Sequence, residues 1–132
     1  MVHLIKSPLY VLIPRKTKAD IKWYLNQNKY RNTHFQVLNQ TKTIYKHLLA
    51  QQIAELPSFK RVSLELHIYA SNKRLFDIDN IASVHCKYFL DALVEAKKLE
   101  EDNYLFVPEI HTYFKDVNKD DPRVDILIKE LE

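Results

Sequence analysis

The stretch Arg61-Val-Ser-Leu-Glu-Leu-His-Ile-Tyr-Ala70 alternates apolar and polar side chains without a break, and the rest of the fold is built around it. Successive side chains of a β-strand point to opposite faces of a sheet, so this pattern predicts a strand with one face on a core. The core-facing set is Val62, Leu64, Leu66, Ile68 and Ala70, and the outward set is Ser63, Glu65, His67 and Tyr69.

A short acidic segment, Asp77-Ile-Asp-Asn80, follows this strand and precedes a helix predicted from Asn80 to about Lys98, with Asp79 as its N-cap. Two carboxylates at i and i+2 on a non-helical segment can lean toward one point, and Asp102 supplies a third just after the helix. Clustered carboxylates repel one another unless they hold a cation, and hard oxygen ligands suit Mg²⁺ or Mn²⁺. The sequence therefore predicts a divalent metal site made of Asp77, Asp79 and Asp102.

A plain structural interpretation of the same residues stays open. Asp79 could be only an N-cap, Asp77 could extend the capping, and Glu100-Glu101-Asp102 could be a solvated charge run before a turn. Lys87 lies on the polar side of the helix, about two turns beyond the aspartates, where it could contact a phosphate, and Asp91 could orient it. Alternatively, Lys87 and Asp91 form an exposed ion pair that contributes on the order of a few tenths of a kcal/mol to stability.

The rest of the chain supplies the partners of the Arg61–Ala70 strand. The pattern predicts a short strand at Leu9–Ile13 and an irregular segment over residues 14–39. It predicts a helix from Asn39 to about Glu55 that ends before Pro57. Two strands follow the second helix, Leu105–Lys115 and Arg123–Leu131, and Pro108 is expected to distort the former or place it near an edge. The order β-α-β-α-β-β predicts a single α+β domain over residues 1–132. Its mixed four-stranded sheet would carry both helices on one face.

The charge is unevenly distributed along the chain. Residues 1–76 hold 13 Lys and Arg against 3 Asp and Glu, whereas residues 77–132 hold 7 against 14. A basic part of this kind indicates a polyanion partner, although the two parts could instead neutralise each other in the fold. The candidate DNA-binding residues are Arg15, Lys16, Lys18, Lys22, Lys29, Arg31, Lys73 and Arg74.

Aromatic residues are interleaved with these cations and could stack on unpaired bases. They are Trp23, Tyr24, Tyr30, Phe35 and Tyr45. Trp23 and Tyr24 could instead be core anchors under a long loop. The histidines at 67, 85 and 111 show no metal-ligand spacing, so each is expected to be a satisfied or surface residue.

Composition excludes several classes of protein. Cys86 is the only cysteine, which rules out an intrachain disulfide and a cysteine-based zinc site. Glycine is absent, which rules out a Walker A loop and a dinucleotide fingerprint, and turns that need a positive φ are expected to use Asn72, Asn103 or Asn118. There is no apolar run of membrane-spanning length and no signal-peptide layout, so we expect a cytoplasmic protein without a membrane partner.

The segment from Arg74 to Asn80, the helix with Asp91-Ala-Leu93, and Glu101-Asp102 before a strand together resemble the RusA family of Holliday junction resolvases. The similarity covers about residues 60–132 and includes the final strand, Arg123-Val-Asp-Ile-Leu-Ile-Lys129. It implies a Mg²⁺-dependent homodimer with Asp77, Asp79 and Asp102 as the catalytic aspartates. Ser83 occupies the position where the family has its lysine, and a four-residue insertion would make Lys87 the equivalent residue.

The resemblance predicts a structure-specific endonuclease that resolves four-way junctions in DNA recombination and repair, with Mg²⁺ as its cofactor and Mn²⁺ as an alternative ion. Two alternatives stay open. One is a non-catalytic nucleic-acid-binding protein of phage origin, in which the acidic residues are caps. The other is a nuclease acting on a different branched DNA, such as a flap or a replication fork.

Overall fold

A computed structural model describes residues 1–132 as six strands and three helices. The strands are β1 (Val2–Ser7), β2 (Tyr10–Ile13), β3 (Ile21–Tyr24), β4 (Val62–Ala70), β5 (Glu109–Val117) and β6 (Arg123–Glu130). The helices are α1 (Gln27–Arg31), α2 (Phe35–Ala54) and α3 (Ile78–Glu95).

The main sheet has four strands in the order β1-β6-β4-β5. β6 pairs antiparallel with both β1 and β4, whereas β4 and β5 pair in parallel. Parallel neighbours need a crossover connection, and α3 provides it between β4 and β5. The predicted α+β fold, with a mixed four-stranded sheet and two main helices, is confirmed.

Both long helices pack on the same face of this sheet. Ser7 of β1 marks the junction, because its Oγ lies 2.6 Å from the hydroxyl of Tyr45 on α2 and 2.7 Å from Nδ1 of His85 on α3. The central strand β4 follows the alternation of its sequence, with every second residue buried beneath the helices. Its buried residues are those predicted: Val62, Leu64, Leu66, Ile68 and Ala70.

The N-terminal part differs from the prediction. The first strand of the main sheet is Val2–Ser7, and Leu9–Ile13 contributes instead to β2, which pairs only with β3 in a separate two-stranded hairpin. The alternation in Val2–Ser7 is hard to recognise in the sequence, because polar His3 and Ser7 share its inner face with Ile5. Residues 14–39 are also more regular than expected, since they include β3, α1 and the start of α2.

α3 sets the geometry of the candidate site. It returns the chain from the end of β4 to the start of β5, so it runs opposite to both strands. Its N-terminal end therefore lies at the C-terminal ends of β4 and β5, and its C-terminal end lies near their beginnings. At 1.5 Å per residue an 18-residue helix is about 27 Å long. None of the helices combines the length and the apolar character needed to cross a bilayer.

Candidate metal and nucleic-acid site

Asp77 and Asp79 lie together at the N-terminal end of α3. Asp77, not Asp79, is the N-cap residue, with φ −83° and ψ 129°, but its side chain makes no capping hydrogen bond. Asp79 belongs to the first helical turn, where side chains lean toward the helix N-terminus. Both residues are exposed, and neither carboxylate has a hydrogen bond or an ion pair within the chain. They are thus available to an external partner.

The residues that follow the aspartates are occupied in holding α1 against α3. The Asn80 side-chain oxygen accepts a hydrogen bond from the backbone N–H of Gln27 at 3.0 Å. The Ser83 hydroxyl accepts one from Gln27 Nε2 at 2.8 Å and donates one to the backbone oxygen of Asp79 at 2.7 Å. Ser83 therefore has a structural task at the position where the RusA family has a lysine. Sequence reasoning missed Gln27, because no local pattern shows that its partners lie more than 50 residues away.

Asp102 lies at the other end of α3. It lines a shallow depression of about 330 Å³ together with Lys46, Asp91, Val94, Glu95 and Glu101. Asp91 is twelve residues beyond Asp79, which is about 18 Å along the helix axis. No three Asp, Glu, His or Cys residues in the chain are close enough to hold a metal ion. A single chain does not bring the three aspartates together, and this corrects the expected convergence.

The reason for the separation is the length and direction of α3. The helix carries the chain away from Asp77 and Asp79 and releases it at the opposite end of the sheet, where Asp102 follows after a short turn. The carboxylates around Asp102 surround one cation, Lys46, which forms an ion pair with Glu95. This cluster is accounted for by that ion pair and by solvent exposure.

Lys87 lies part of the way between the two acidic groups. It is eight residues beyond Asp79, about 12 Å along the axis, and it is exposed. Its ammonium lies 6.0 Å from the centre of the Tyr30 ring on α1, a cation–π distance. It makes no ion pair with Asp91, so the expected orientation of Lys87 by that residue is absent.

The basic residues predicted to bind DNA are all exposed, and they form two groups relative to α3. The nearer group lies on the loop that enters α3 and on α1, which packs beside the first turns of α3: Lys73, Arg74, Lys29 and Arg31. The farther group belongs to the β2–β3 hairpin and its turn: Arg15, Lys16, Lys18 and Lys22. The Arg15 guanidinium closes the hairpin turn by donating to the backbone oxygen of Ala19 at 2.8 Å.

Arg74 lies beside the start of α3, next to the segment that carries the aspartates. It lines an open depression of about 170 Å³ that also includes Tyr24, Asn26 and Asn80. Tyr24 is exposed, so a cation, an accessible aromatic ring and polar amides meet beside the start of α3. Such a combination suits a phosphate and an unstacked base.

The interleaved aromatic residues divide into core and surface. Trp23 is buried and stacks on Tyr88 with 5.8 Å between ring centres, and its Nε1 donates to Thr33 Oγ1 at 3.0 Å. Tyr45 is fully buried. These two rings are therefore core anchors, whereas Tyr24 and Phe35 remain accessible.

The basic part of the chain is not neutralised by the acidic part through direct contacts. Of the 13 Lys and Arg residues before Asp77, only Lys6 and Lys46 form ion pairs with acids beyond it, with Asp121 and Glu95. The other ion pairs join residues within the same part of the chain. Most of the positive charge is thus exposed without a carboxylate against it.

The resemblance to RusA resolvases rests on the motif residues alone. No protein-family model matches this chain, and neither does any curated protein.

Proposed function

We propose that the protein is a Mg²⁺-dependent endonuclease that cuts branched DNA, with the four-way junction as its substrate. The observation that carries the proposal is the pair Asp77 and Asp79, which are exposed, close in the chain and without protein partners at the start of α3. Exposed cations on the adjoining loop and on α1 flank this pair. The similarity of these motifs to RusA resolvases supplies the reaction and the substrate.

Two carboxylates fit Mg²⁺ or Mn²⁺, because enzymes commonly hold these ions with one or two carboxylates plus water and substrate phosphate. Such an ion, when bound, polarises the scissile phosphate and makes a nucleophilic water available at neutral pH. The positive end of the α3 dipole opposes a lone cation and favours a phosphate. We therefore expect the metal to bind more tightly when DNA is present.

The chain's own cations would position the DNA. Arg74 shares a depression with Asn80, so its guanidinium can neutralise a phosphate next to the aspartates. Lys87 lies about 12 Å farther along α3 and would contact a phosphate one or two nucleotides away rather than the scissile group. The hairpin cations would extend the contact along an arm of the junction, and affinity should fall steeply with salt.

The test is a nicking assay on a four-way junction beside a linear duplex of the same sequence. We expect Mg²⁺-dependent cuts in the junction and none in the duplex. Asp79→Asn should reduce the rate at least about 100-fold, because one of two metal-binding carboxylates is lost. Glu130→Gln, exposed at the end of β6 that pairs with Val62 and therefore at the opposite end of the sheet from Asp79, serves as the matched control and should cut normally. Full nicking by Asp79→Asn would contradict the assignment.

A second function is favoured by the separation of Asp102 from the other two aspartates. If the metal needs all three carboxylates, a single chain is a non-catalytic DNA-binding protein. Such a protein would retard junction DNA in a gel but leave it uncut with either Mg²⁺ or Mn²⁺. Flap and fork substrates, tested in the same assay, separate a junction resolvase from a nuclease with another branched substrate.

A further inference from the structure

The depression that contains Arg74 lies between the end of the β2–β3 hairpin, the end of β4 and the start of α3. Its volume is about 170 Å³, and most of its lining is apolar, including Ile68, Phe76 and Ile81. Pockets for drug-sized ligands occupy about 300–1,000 Å³. This depression is therefore suited to a single flat ring system rather than to a larger molecule.

Three asparagines line the depression, and the side-chain oxygen of each is already in use. Asn26 Oδ1 accepts a hydrogen bond from the backbone N–H three residues later at 2.9 Å, and Asn72 Oδ1 accepts one from the backbone N–H two residues later at 2.9 Å. Asn80 Oδ1 accepts from the Gln27 N–H at 3.0 Å. A backbone N–H can only donate, so these contacts identify the oxygen of each amide. None of the three Nδ2 groups has a partner in the chain, so each can offer donors to a ligand.

The free amide donors are open to solvent, and no carboxylate stands among them. None of the buried side-chain atoms that lack a partner belongs to an asparagine, so the Nδ2 groups of half-buried Asn26 and Asn80 are accessible. Arg74 adds an exposed guanidinium that forms no ion pair. No Asp or Glu lines the depression, and the hydroxyls of Ser71 and Tyr24 can either donate or accept. The lining thus offers mainly hydrogen-bond donors.

A pocket of donors with an aromatic wall selects a flat ligand that presents acceptors. Tyr24 is 40% exposed, and Tyr10 packs against it with 5.4 Å between ring centres. Accessible aromatic rings of this kind stack on unpaired nucleobases. Thymine, cytosine and guanine carry carbonyl oxygens, whereas adenine has none and presents an amino group in their place. Amide donors that face an amino group are left unpaired, which is costly in a desolvated pocket.

We propose that this depression takes one unpaired nucleobase of the DNA strand that enters the site, and that it favours a base with a carbonyl group over adenine. The base would stack on Tyr24, and its oxygens would accept hydrogen bonds from the amides of Asn26, Asn72 and Asn80. Arg74 would hold a phosphate of the same nucleotide or its neighbour.

The position of the depression would connect base capture to cutting. Asn80 directly follows Asp79, so the captured base would belong to a nucleotide close to the scissile phosphate. Every base of a linear duplex is paired and stacked, and extruding one costs free energy, least where the base is already unpaired. A branch point would therefore fill the depression more readily than a duplex would. This connection rests on the proposed function, whereas the preference for a carbonyl-bearing base does not.

The pocket is tested by DNA binding in EDTA, where no cutting takes place. The probes are short fluorescent strands of abasic residues that carry thymine, hypoxanthine, adenine or no base at the central position. Hypoxanthine matches adenine in size but has a carbonyl oxygen where adenine has its amino group. We expect the thymine and hypoxanthine strands to bind about tenfold more tightly than the adenine strand. Equal binding of hypoxanthine and adenine would overturn the preference, and a fully abasic strand that binds as tightly as the others would overturn the pocket.

The role of the amides is tested by exchanging a donor for an acceptor. Asn26→Asp and Asn80→Asp each keep the oxygen that accepts from the backbone and replace Nδ2 by a second oxygen, so the fold should be retained. Each should abolish the preference for hypoxanthine over adenine. Asn28→Asp, exposed on α1 and outside the depression, adds the same charge and is the matched control. It should weaken all strands alike and keep the preference. Folded Asn26→Asp and Asn80→Asp proteins with the wild-type preference would overturn the role of the amides.

Two further measurements identify the wall of the pocket and the source of the base. Tyr24→Ala should remove the advantage of a strand with a base over a fully abasic strand, whereas Tyr24→Phe should keep it. An advantage that survives in Tyr24→Ala would overturn the stacking. Free dTMP should bind at least about tenfold more weakly than the thymine strand, because the phosphates of the strand add to its affinity. Equal affinity would overturn the assignment to a DNA strand and indicate a free nucleotide.

These outcomes are separate from those of the nicking assay. A protein that prefers hypoxanthine to adenine but cuts no junction with Mg²⁺ would overturn the proposed function and leave the pocket in place. A protein that nicks junctions but shows no preference among the bases would overturn the pocket alone.

Discussion

His85 is a titratable side chain sealed in the core. Its Nδ1 contacts the Ser7 hydroxyl, which in turn contacts the Tyr45 hydroxyl, and its Nε2 is buried with no hydrogen-bond partner. Burial lowers the pKa of His85 to about 3 and raises the pKa of Tyr45. Both shifts favour the neutral forms, because neither ion could be solvated there.

The buried histidine should make the fold sensitive to mild acid. The unfolded chain binds a proton at His85 with a pKa near 6.5, whereas the folded chain binds it only near 3. Between these values the unfolded state holds more protons, so the free energy of unfolding falls as the pH is lowered, by up to about 1.4 kcal/mol per pH unit.

The measurement is urea unfolding between pH 7 and 4.5, above the range where most carboxylates titrate. His85→Leu should flatten the slope over this window, because the titrating group is gone. His47→Gln, at an exposed position on α2, is the control and should keep the wild-type slope. An equal slope in all three proteins would show that His85 does not stay neutral in the fold.

Lys97 takes the backbone conformation that glycine usually provides. It is the only residue with positive φ, at 60°, and it ends α3 in a Schellman motif. In that motif the Lys98 N–H donates to the Leu93 oxygen at 2.9 Å, and the Lys97 N–H donates to the Val94 oxygen at 3.0 Å. A left-handed conformation strains any residue with a Cβ atom.

Replacing Lys97 by glycine should therefore stabilise the protein. We expect Lys97→Gly to raise the free energy of unfolding by about 0.5–1 kcal/mol, with the loss of strain partly offset by the greater freedom of glycine in the unfolded chain. Lys97→Ala keeps the Cβ atom and should change stability little. Thermal and urea unfolding of the two variants distinguish loss of strain from loss of charge.

The asparagines expected at positive φ behave differently. Asn72, Asn103 and Asn118 all have negative φ, and each side-chain oxygen accepts a hydrogen bond from a backbone N–H two or three residues later, at 2.9–3.1 Å. These are Asx-type turns, which shape a loop without glycine. The sequence indicated that these asparagines form turns. It did not indicate the sign of φ, because an Asn side chain is compatible both with an Asx turn at negative φ and with a left-handed residue at positive φ.

At the scale of elements, α3 begins two residues earlier than its sequence indicates. The pattern predicted Asn80 as the first helical residue and Asp79 as the cap, whereas the helix starts at Ile78 and Asp77 takes the cap position. Two competing Asp residues make this boundary ambiguous, since either can precede a helix. The shift places Asp79 in the first turn and leaves the Asp77 carboxylate unused by the helix.

The unused cap gives a prediction that separates stability from function. Asp77→Asn should change the free energy of unfolding by less than about 0.5 kcal/mol, because no capping hydrogen bond is lost. Asn26→Ala should cost about 1 kcal/mol, because the Asn26 side chain accepts from the Lys29 N–H at 2.9 Å and caps α1. Urea unfolding compares the two. A large loss in Asp77→Asn would mean that this carboxylate serves the fold.

At the scale of the whole molecule, local sequence patterns predicted the helices and strands. They could not predict which residues distant in the sequence come into contact. β4 was predictable because its two faces differ in polarity at every position. The position of Asp102 was not, because it depends on how far α3 carries the chain across the sheet before releasing it. Asp102 comes 23 positions after Asp79 in the sequence, and a helix turns most of that separation into distance.

For the basic residues too, the sequence showed their number but not their positions on the folded molecule. The excess of Lys and Arg before Asp77 was visible in the sequence, and most of these residues are exposed without an acidic partner. That α1 brings Lys29 and Arg31 beside the aspartates follows from the contacts of Gln27, which no local pattern reveals. A charge count can therefore indicate a polyanion partner but not the side of the molecule that meets it.

The pairing of β1 with β6 has a consequence for how the protein is made. Val2 lies opposite Lys129, so β1 cannot pair in the sheet until β6 has been synthesised. β6 is also an inner strand, and until it emerges β4 has no neighbour on that side. Until β6 is available, neither β1 nor the inner edge of β4 can complete its pairing. Closure of the sheet therefore depends on contacts between residues far apart in the sequence, which slows folding and leaves apolar surface exposed for longer.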